Sequence, residues 1–169
     1  MRMSWRYAIS FLVGLARAWY DYCVTSTTPH LFAIQIDPAD IDFMGHVNNA
    51  SYLKWVQDAV IDHWRALAPA EAVAAHLWVA LKHEITYRRP TFLDDAPIAH
   101  VVLEKVQGAR AIYQTVIKRG EEVLAEVQSS WCCIDAATLR PARLARDLIE
   151  RFLPAGKPAV EPEPALLPD

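Results

Sequence analysis

One long amphipathic helix followed by consecutive strands is the pattern that most constrains the fold of this chain. Apolar side chains recur at helical spacing over residues 50–67, and polar side chains occupy the opposite side. Over residues 77–87 the period changes to two, which predicts a strand whose odd-numbered residues share an apolar face. Three further strands are predicted at hairpin distances, over residues 98–106, 109–119 and 122–134. The sequence therefore indicates an antiparallel sheet.

A sheet of this size has more surface than one helix can cover. A strand over residues 31–36 precedes the helix, and a closing helix is predicted over residues 144–153. One helix cannot bury both faces of five strands. We therefore predict an α+β fold in which a curved antiparallel five-stranded sheet wraps around one long central helix. An apolar face left uncovered would need another subunit, so we expect a homodimer or a homotetramer.

The two ends of the chain differ in composition from its middle. The last segment, residues 154–169, holds five of the eleven prolines, which excludes a helix or a central strand there. The length of 169 residues is typical of a single domain. We divide the chain into an N-terminal extension with a predicted helix (1–28), one domain (29–153) and the proline-rich tail (154–169).

The N-terminal extension carries weak features of a secretory signal. Arg2 and Arg6 precede an apolar stretch that small residues follow. Gly14 and Arg17 argue against export, because they interrupt the apolar run and the cleavage motif. The alternatives are a helical arm packed on the domain, an amphipathic helix on a membrane surface, and sequence upstream of a later start. We favour a non-catalytic extension over export or membrane contact.

Charge, cysteine content and motif content argue against several function classes. The formal net charge of -3 is unlike that of nucleic-acid binders, and no apolar run is long enough for a transmembrane helix. Three cysteines without a C-x-x-C pair indicate a reducing compartment, so we expect a cytoplasmic protein. The six histidines show no metal-ligand spacing, so we expect no metal, and we expect His83 in the core or an interface. No G-x-S-x-G motif of serine hydrolases occurs.

The densest polar cluster, residues 37–49, directly precedes the predicted helix. It contains three carboxylates, one histidine and two carboxamides in 13 residues. Asp and Asn are preferred at helix N-termini, so one interpretation is a capping loop. The other is a catalytic site, because a helix N-terminus presents unpaired N–H groups that can polarise a carbonyl. A carboxylate beside them can act as base or nucleophile.

The segment that spans this cluster and the start of the helix resembles a known family. Residues 40–55 read D-I-D-F-M-G-H-V-N-N-A-S-Y-L-K-W. They are similar to the signature D-x-D-x-x-G-H-V-N-N-x-x-Y-x-x-W/Y of hotdog-fold thioesterases, in particular the 4-hydroxybenzoyl-CoA thioesterase-like enzymes and the acyl-carrier-protein thioesterases. Residues 83–90 and 94–95 resemble a strand and a turn of that family. The resemblance covers about residues 31–135 and implies hydrolysis of an acyl-CoA or acyl-carrier-protein thioester.

The resemblance implies catalytic roles for several residues of the motif. Asp42 falls on the family's catalytic aspartate, which attacks the thioester carbonyl directly or activates water. The backbone N–H of Asn49 falls where the family polarises that carbonyl. His46 and the side chains of Asn48 and Asn49 would surround the aspartate or the attacking water. No cofactor is implied, because coenzyme A is part of the substrate.

Further residues are assigned to substrate binding. The resemblance implies that Tyr52 and Trp55, near the helix start, line the acyl pocket. Arg88, Arg89 and Lys105 would meet the phosphates of coenzyme A, or they form a solvated strand end. Both interpretations of these three cations stay open.

Two alternatives concern the acid and the activity itself. Other hotdog groups place their catalytic acid on the central helix, where this chain has Asp58, but its position on the polar side favours solvent exposure. Some relatives carry Asn where Ser51 stands, so the role of Ser51 is open. A catalytically silent hotdog module that binds acyl thioesters or a protein partner is the alternative to an enzyme. The presence of Asp42 with an unbroken G-H-V-N-N favours the enzyme.

Overall fold

The computed structural model describes residues 28–153, so the predictions for the N-terminal extension and the proline-rich tail lie outside the described residues. Its regular elements are, in chain order, β1 His30–Ala33, α1 Asn49–Leu67, α2 Ala70–Ala75, β2 His76–Tyr87, β3 Ile98–Gln107, β4 Arg110–Arg119, β5 Glu122–Asp135 and α3 Arg146–Glu150. A 3-10 turn, Pro38–Asp40, lies between β1 and α1. Within this part of the chain no helix is long and apolar enough to cross a membrane.

The strands form one five-stranded antiparallel sheet in the order β1-β3-β4-β5-β2. Strands β3, β4 and β5 follow one another as hairpins, because each is joined to the next by a short turn. The chain passes through α1 between the two edge strands, β1 and β2. The predicted α+β architecture, a curved five-stranded sheet with one long central helix, is confirmed.

The apolar side of α1 packs on the inner face of the sheet. Its helical spacing buries seven residues, Tyr52, Trp55, Val56, Ala59, Val60, His63 and Trp64. They share one core with inward side chains of the central strands, including Leu103, Tyr113, Leu124, Val127 and Trp131. Each large apolar side chain contributes roughly 1.5–3 kcal/mol when it is fully buried. Packing along the whole helix therefore fixes the position of its N-terminus.

Local sequence defines both ends of α1. Asn48 is the N-cap, since its side-chain oxygen accepts a hydrogen bond from the Ala50 N–H at 2.9 Å. At the other end Ala68 is extended, with a ψ of 142°, as expected for a residue that precedes a proline, here Pro69. The helix predicted over residues 50–67 is thus confirmed and begins one residue earlier.

Strand β2 departs from the strict alternation that its sequence suggests. A bulge between Ala80 and Lys82 shifts its register against β5. Before the bulge Trp78 packs against the core, and after it Ile85 does, so the inward positions change from even to odd. The prediction that the odd residues of 77–87 share one apolar face is therefore wrong, because one extra residue reverses every side chain beyond it.

Two elements are shorter than predicted. Strand β1 ends at Ala33 rather than at residue 36, although the Ile34 N–H still donates to the Pro97 carbonyl at 3.0 Å. The helix predicted over residues 144–153 is limited to α3, yet the segment buries its apolar residues, Leu148, Ile149 and Phe152. Apolar burial thus holds this closing segment on the core without a long helix.

Strand β2 presents an open apolar edge. It is 12 residues long and pairs only with β5 among the described strands. Leu77, Val79 and Leu81 are 46%, 45% and 50% exposed. An unpaired edge of this length is a template for another strand.

Candidate active site

The polar loop before α1 is folded as a tight turn that closes on itself. Ile41 and Val47 form an antiparallel bridge, and the Asp42 N–H donates to the His46 carbonyl at 2.9 Å. The Gly45 N–H donates to the Asp42 carbonyl at 3.0 Å, and Gly45 adopts a φ of 81°, which favours glycine. The turn therefore holds the side chains of Asp42 and His46 next to each other, just before the helix.

The two carboxylate oxygens of Asp42 have different surroundings. Oδ1 accepts a hydrogen bond from the Met44 N–H at 2.8 Å. Oδ2 lies 3.6 Å from His46 Nδ1, which is too long for a hydrogen bond, and the same Nδ1 lies 3.3 Å from the Val47 carbonyl. The Asp42 side chain is 13% exposed. One oxygen thus orients the group, while the other accepts no hydrogen bond from residues 28–153.

Asp40, the other aspartate of the motif, stabilises the loop through hydrogen bonds. Its carboxylate accepts hydrogen bonds from Ser51 Oγ at 2.8 Å and from the Asp37 N–H at 3.0 Å. Its carbonyl accepts a third from the Asn48 N–H at 2.7 Å. Asp40 and Ser51 therefore tie the start of α1 to the loop. Sequence reasoning assigned no role to Asp40, because the contact joins residues 11 positions apart without a local pattern.

The main-chain N–H of Asn49, at the start of α1, has no hydrogen-bond acceptor among residues 28–153. The Ala50 and Ser51 N–H groups both bond to Asn48, at 2.9 and 3.0 Å. The Asn49 N–H makes no hydrogen bond with residues 28–153, whereas its carbonyl accepts one from the Tyr87 hydroxyl at 3.0 Å. An unpaired N–H at the positive end of a helix can polarise a carbonyl.

A cleft of about 250 Å³ opens beside the helix start. It is lined by residues of the loop, of α1 and of the end of β2, namely His46, Val47, Asn49, Tyr52, Tyr87, Arg88, Arg89 and Pro90. Asp42 lies in the adjoining turn, and Asn48 and Trp55 do not line the cleft. A second cavity, between the far end of α1 and α3, measures about 10 Å³ and has room for a single water molecule.

The two aromatic residues assigned to the acyl pocket occupy different positions. Trp55 is 3% exposed and lies in the core, so its contact with an acyl group stays a prediction. Tyr52 is 2% exposed, and its hydroxyl lies 2.8 Å from Thr91 Oγ1. Its ring meets that of Tyr87 edge-on, with 5.1 Å between the centroids. Burial raises the pKa of the Tyr52 hydroxyl, which is therefore protonated.

The two arginines assigned to coenzyme A lie at the rim of the cleft. Arg88 donates from Nε and Nη2 to Glu126 Oε2, at 2.8 and 2.5 Å. Arg89 Nε lies 3.5 Å from Glu122 Oε1. The side chains of the two arginines are 46% and 65% exposed, so each retains donors toward solvent. Lys105 lies in β3 and does not line the cleft.

Two other ionisable residues lie outside the cleft. Asp58 is paired with Lys54 at 2.7 Å and its side chain is 44% exposed, which confirms its predicted position on the polar side of the helix. His83 is half-buried in β2 against Trp131, with 5.4 Å between the rings, and burial lowers its pKa. Across residues 28–153 no group of three or more His, Cys, Asp or Glu side chains is arranged to hold a metal ion.

Comparison with known proteins identifies the family of the chain. A family model described as the thioesterase-like superfamily matches residues 36–152. The chain belongs to this superfamily. It is 30% identical over 126 residues to the long-chain acyl-CoA thioesterase FadM of Escherichia coli strain K12, a match that covers 70% of this chain and 93% of that protein. The thioesterase family inferred from residues 40–55 is confirmed.

Solved structures of thioesterases share the fold of this superfamily member. The probable thioesterase YbaW from Escherichia coli matches with a TM-score of 0.61 and 26% identity, over 73% of this chain and 98% of that one. A thioesterase from Thermus thermophilus, complexed with coenzyme A and zinc, matches with a TM-score of 0.63 and 24% identity, over 72% and 90%. The latter likeness concerns the fold alone.

Proposed function

We propose that this member of the thioesterase-like superfamily hydrolyses acyl-CoA thioesters to a free acid and coenzyme A. The observation that carries the proposal is the environment of the Asp42 carboxylate in the turn that leads into α1. Its Oδ1 accepts a hydrogen bond from the main chain, and its Oδ2 accepts none from residues 28–153. The unbonded Asn49 N–H begins the same helix. A relative at 30% identity is a long-chain acyl-CoA thioesterase, which supports this class of substrate.

In the proposed reaction the thioester carbonyl oxygen accepts a hydrogen bond from the Asn49 N–H, and the positive end of α1 stabilises the charge that develops there. Asp42 then acts in one of two ways. As a nucleophile, its Oδ2 bonds to the carbonyl carbon, the C–S bond breaks, the thiolate takes up a proton, and water hydrolyses the anhydride. As a base, it takes a proton from the water molecule that attacks that carbon, the same C–S bond breaks, and the proton passes to the leaving thiolate.

The neighbouring polar residues have distinct proposed roles. His46 lines the cleft beside Asp42, at a position from which it can orient the attacking water or the carboxylate. Asn48 acts as the N-cap and keeps the Asn49 N–H in place. Tyr52 borders the acyl group directly, and Trp55 supports the Tyr52 ring from the core, with 4.9 Å between the ring centroids.

We assign Arg88 and Arg89 to the phosphate groups of coenzyme A. Both lie at the rim of the cleft and keep guanidinium donors toward solvent. A planar guanidinium matches the geometry of a phosphate and binds it through paired hydrogen bonds. Phosphate would then compete with the carboxylates of Glu126 and Glu122 for these donors.

We further propose a homodimer formed through β2. This strand is the longer of the two sheet edges, with 12 residues against four in β1, and its first half exposes the apolar side chains of Leu77, Val79 and Leu81. Symmetric pairing of the two β2 edges would satisfy their free backbone groups and bury this apolar surface.

We place the protein in a reducing compartment, the cytoplasm. Cys132 and Cys133 are free thiols in the structure. They are neighbours in β5, so their side chains point to opposite faces of the sheet. Burial raises the pKa of Cys133 to about 12, which keeps that thiol protonated and unreactive.

The test of the proposed function is a panel of acyl-CoA thioesters with a readout of free thiol. Aliphatic chains of different lengths, aromatic acyl groups and one acyl-carrier-protein thioester are compared at equal concentration. We expect release of coenzyme A from at least one acyl-CoA. Tight binding of acyl-CoA without release of thiol would contradict the proposed hydrolysis and would favour the alternative, a catalytically silent module that binds acyl thioesters.

A further inference from the structure

Thr91 is a fully buried threonine that contacts both sides of the helix start. It lies between β2 and β3 and is 0% exposed. Its carbonyl accepts a hydrogen bond from the Val47 N–H at 2.8 Å, and its Oγ1 lies 2.8 Å from the Tyr52 hydroxyl. Val47 belongs to the loop and Tyr52 to the beginning of α1. A single residue therefore connects the two parts that form the candidate site.

The segment that carries Thr91 is attached to the sheet. The Phe92 N–H donates to Asp95 Oδ2 at 2.8 Å, and Arg119 Nη1 donates to the same oxygen at 2.5 Å. Arg119, at the end of β4, also bonds to Glu122 at the start of β5, at 2.5 Å. The segment that carries Thr91 is therefore attached to the sheet as well as to the loop that Thr91 contacts.

We propose that Thr91 is a positioning residue for thioester hydrolysis, whose hydrogen bonds set the Asp42 turn relative to the Asn49 N–H. The inference rests on the proposed function. Thr91 is buried and does not line the cleft, so it acts through Val47 and Tyr52 and touches no substrate. Val47 lies in the chain between the turn and the N-cap, so a displacement at Val47 changes the distance between the reacting groups.

The test begins with Thr91→Val, which keeps the shape of the side chain and removes only the hydroxyl. We expect kcat to fall about tenfold with an unchanged KM, because small misplacements of reacting groups affect the chemical step rather than binding. Thr91→Ser restores the hydroxyl and should return kcat to the wild-type value. The matched control is Thr115→Val, since Thr115 is also 0% exposed and its Oγ1 has no hydrogen-bond partner within residues 28–153. This control should leave kcat unchanged.

A double variant separates positioning from stability. Thr91→Val alone leaves the Tyr52 hydroxyl buried without its partner, whereas Thr91→Val combined with Tyr52→Phe removes both groups and should recover stability against urea. We expect kcat to stay low in the double variant, because the hydrogen bond between Thr91 and the start of α1 is still missing. Recovery of kcat together with stability would assign Thr91 a merely structural role and overturn the inference.

The remaining outcomes distinguish this inference from the proposed function. A folded Thr91→Val protein with wild-type kcat overturns the inference and leaves the proposed function standing. A wild-type protein that releases no thiol from any acyl-CoA overturns the proposed function, and the inference falls with it.

Discussion

Asp42 Oδ2 lies 3.6 Å from His46 Nδ1, while Oδ1 of the same carboxylate accepts a 2.8 Å hydrogen bond from the Met44 N–H. The bond from the main chain orients the carboxylate without help from a substrate. The longer distance to His46 leaves Oδ2 without a hydrogen-bond donor among residues 28–153, as its proposed reaction with a thioester or a water molecule requires. This asymmetry distinguishes Asp42 from Asp40, whose two carboxylate oxygens are both hydrogen-bonded.

The first prediction concerns this free oxygen. Asp42→Asn keeps the shape of the side chain and the acceptor for the Met44 N–H, but it removes the negative charge and the basicity. We expect kcat to fall at least about 100-fold, the lower range of what a catalytic base contributes. Acyl-CoA hydrolysis followed by free thiol measures the effect, and circular dichroism shows that the fold is retained.

The matched control for this variant is Asp58→Asn. Asp58 lies further along α1, where it is exposed and paired with Lys54. An exposed pair of this kind contributes at most about 1 kcal/mol to stability, so we expect normal turnover. Loss of activity in Asp58→Asn with normal turnover in Asp42→Asn would assign the chemistry to Asp58.

The second prediction concerns the rim of the cleft. Removal of both guanidinium groups, in Arg88→Ala combined with Arg89→Ala, should raise KM for acyl-CoA about tenfold with little change in kcat, because charged hydrogen bonds to phosphate are lost. The matched control is Arg65→Ala, an exposed arginine in the last turn of α1. An acyl thioester of N-acetylcysteamine lacks the phosphates and should show no rise in KM. An equal rise with that substrate would contradict the assignment.

Most of the fold could be predicted from the sequence because helix and strand periods are local signals. The helix over residues 50–67 and the strands of the central hairpins agree with the structure to within two residues. The bulge between Ala80 and Lys82 could not be predicted, since it is a property of the pairing between β2 and β5 and leaves the composition of β2 unchanged.

Two parts of the candidate site could be predicted, the residues that are neighbours in the chain around Asp42 and the pair Arg88 and Arg89, but the contacts that join distant segments could not. Asp42, His46 and Asn49 lie together because one turn and one helix start hold them. The contact between Tyr52 and Thr91 joins residues 39 positions apart and depends on how the segment between β2 and β3 folds back. Such a contact cannot be predicted from the periodicity or the motifs of the sequence.

The third prediction concerns the assembly. We expect light scattering at micromolar concentration to give twice the chain mass of 19.1 kDa. Val79→Lys combined with Leu81→Lys places two charges on the exposed edge of β2 and should give monomers, because lysine on an edge strand blocks pairing. A wild-type protein that is monomeric at this concentration would contradict the proposed dimer.

The other edge of the sheet provides the control for this experiment. Leu31 in β1 is 57% exposed, which resembles the exposure of the β2 residues. Leu31→Lys should leave the dimer intact. If this variant is monomeric while the β2 variant is dimeric, the interface is formed by β1.

The fourth prediction concerns the dependence of stability on pH. His63 is 5% exposed, and burial together with the nearby ring of His30, 5.0 Å away, lowers its pKa to about 4. Asp62 acts in the opposite direction, and the uncharged Tyr113 and Phe152 rings pack against the remaining faces. Because the unfolded chain protonates this histidine near its ordinary pKa, acidification favours unfolding. The stability that the neutral form of His63 contributes is fully present above about pH 6.5 and is lost as the pH falls toward 4.

Urea unfolding at pH 7 and at pH 4.5 measures this contribution. We expect the difference in unfolding free energy between these pH values to be about 2–3 kcal/mol smaller in His63→Phe than in the wild type, because that variant has no ionisable group to charge. The matched control is Phe152→Leu, which disturbs the same aromatic contact and lowers stability by a similar amount at both pH values. An unchanged pH dependence in His63→Phe would show that other groups, such as the half-buried His83 and His100, carry the acid sensitivity.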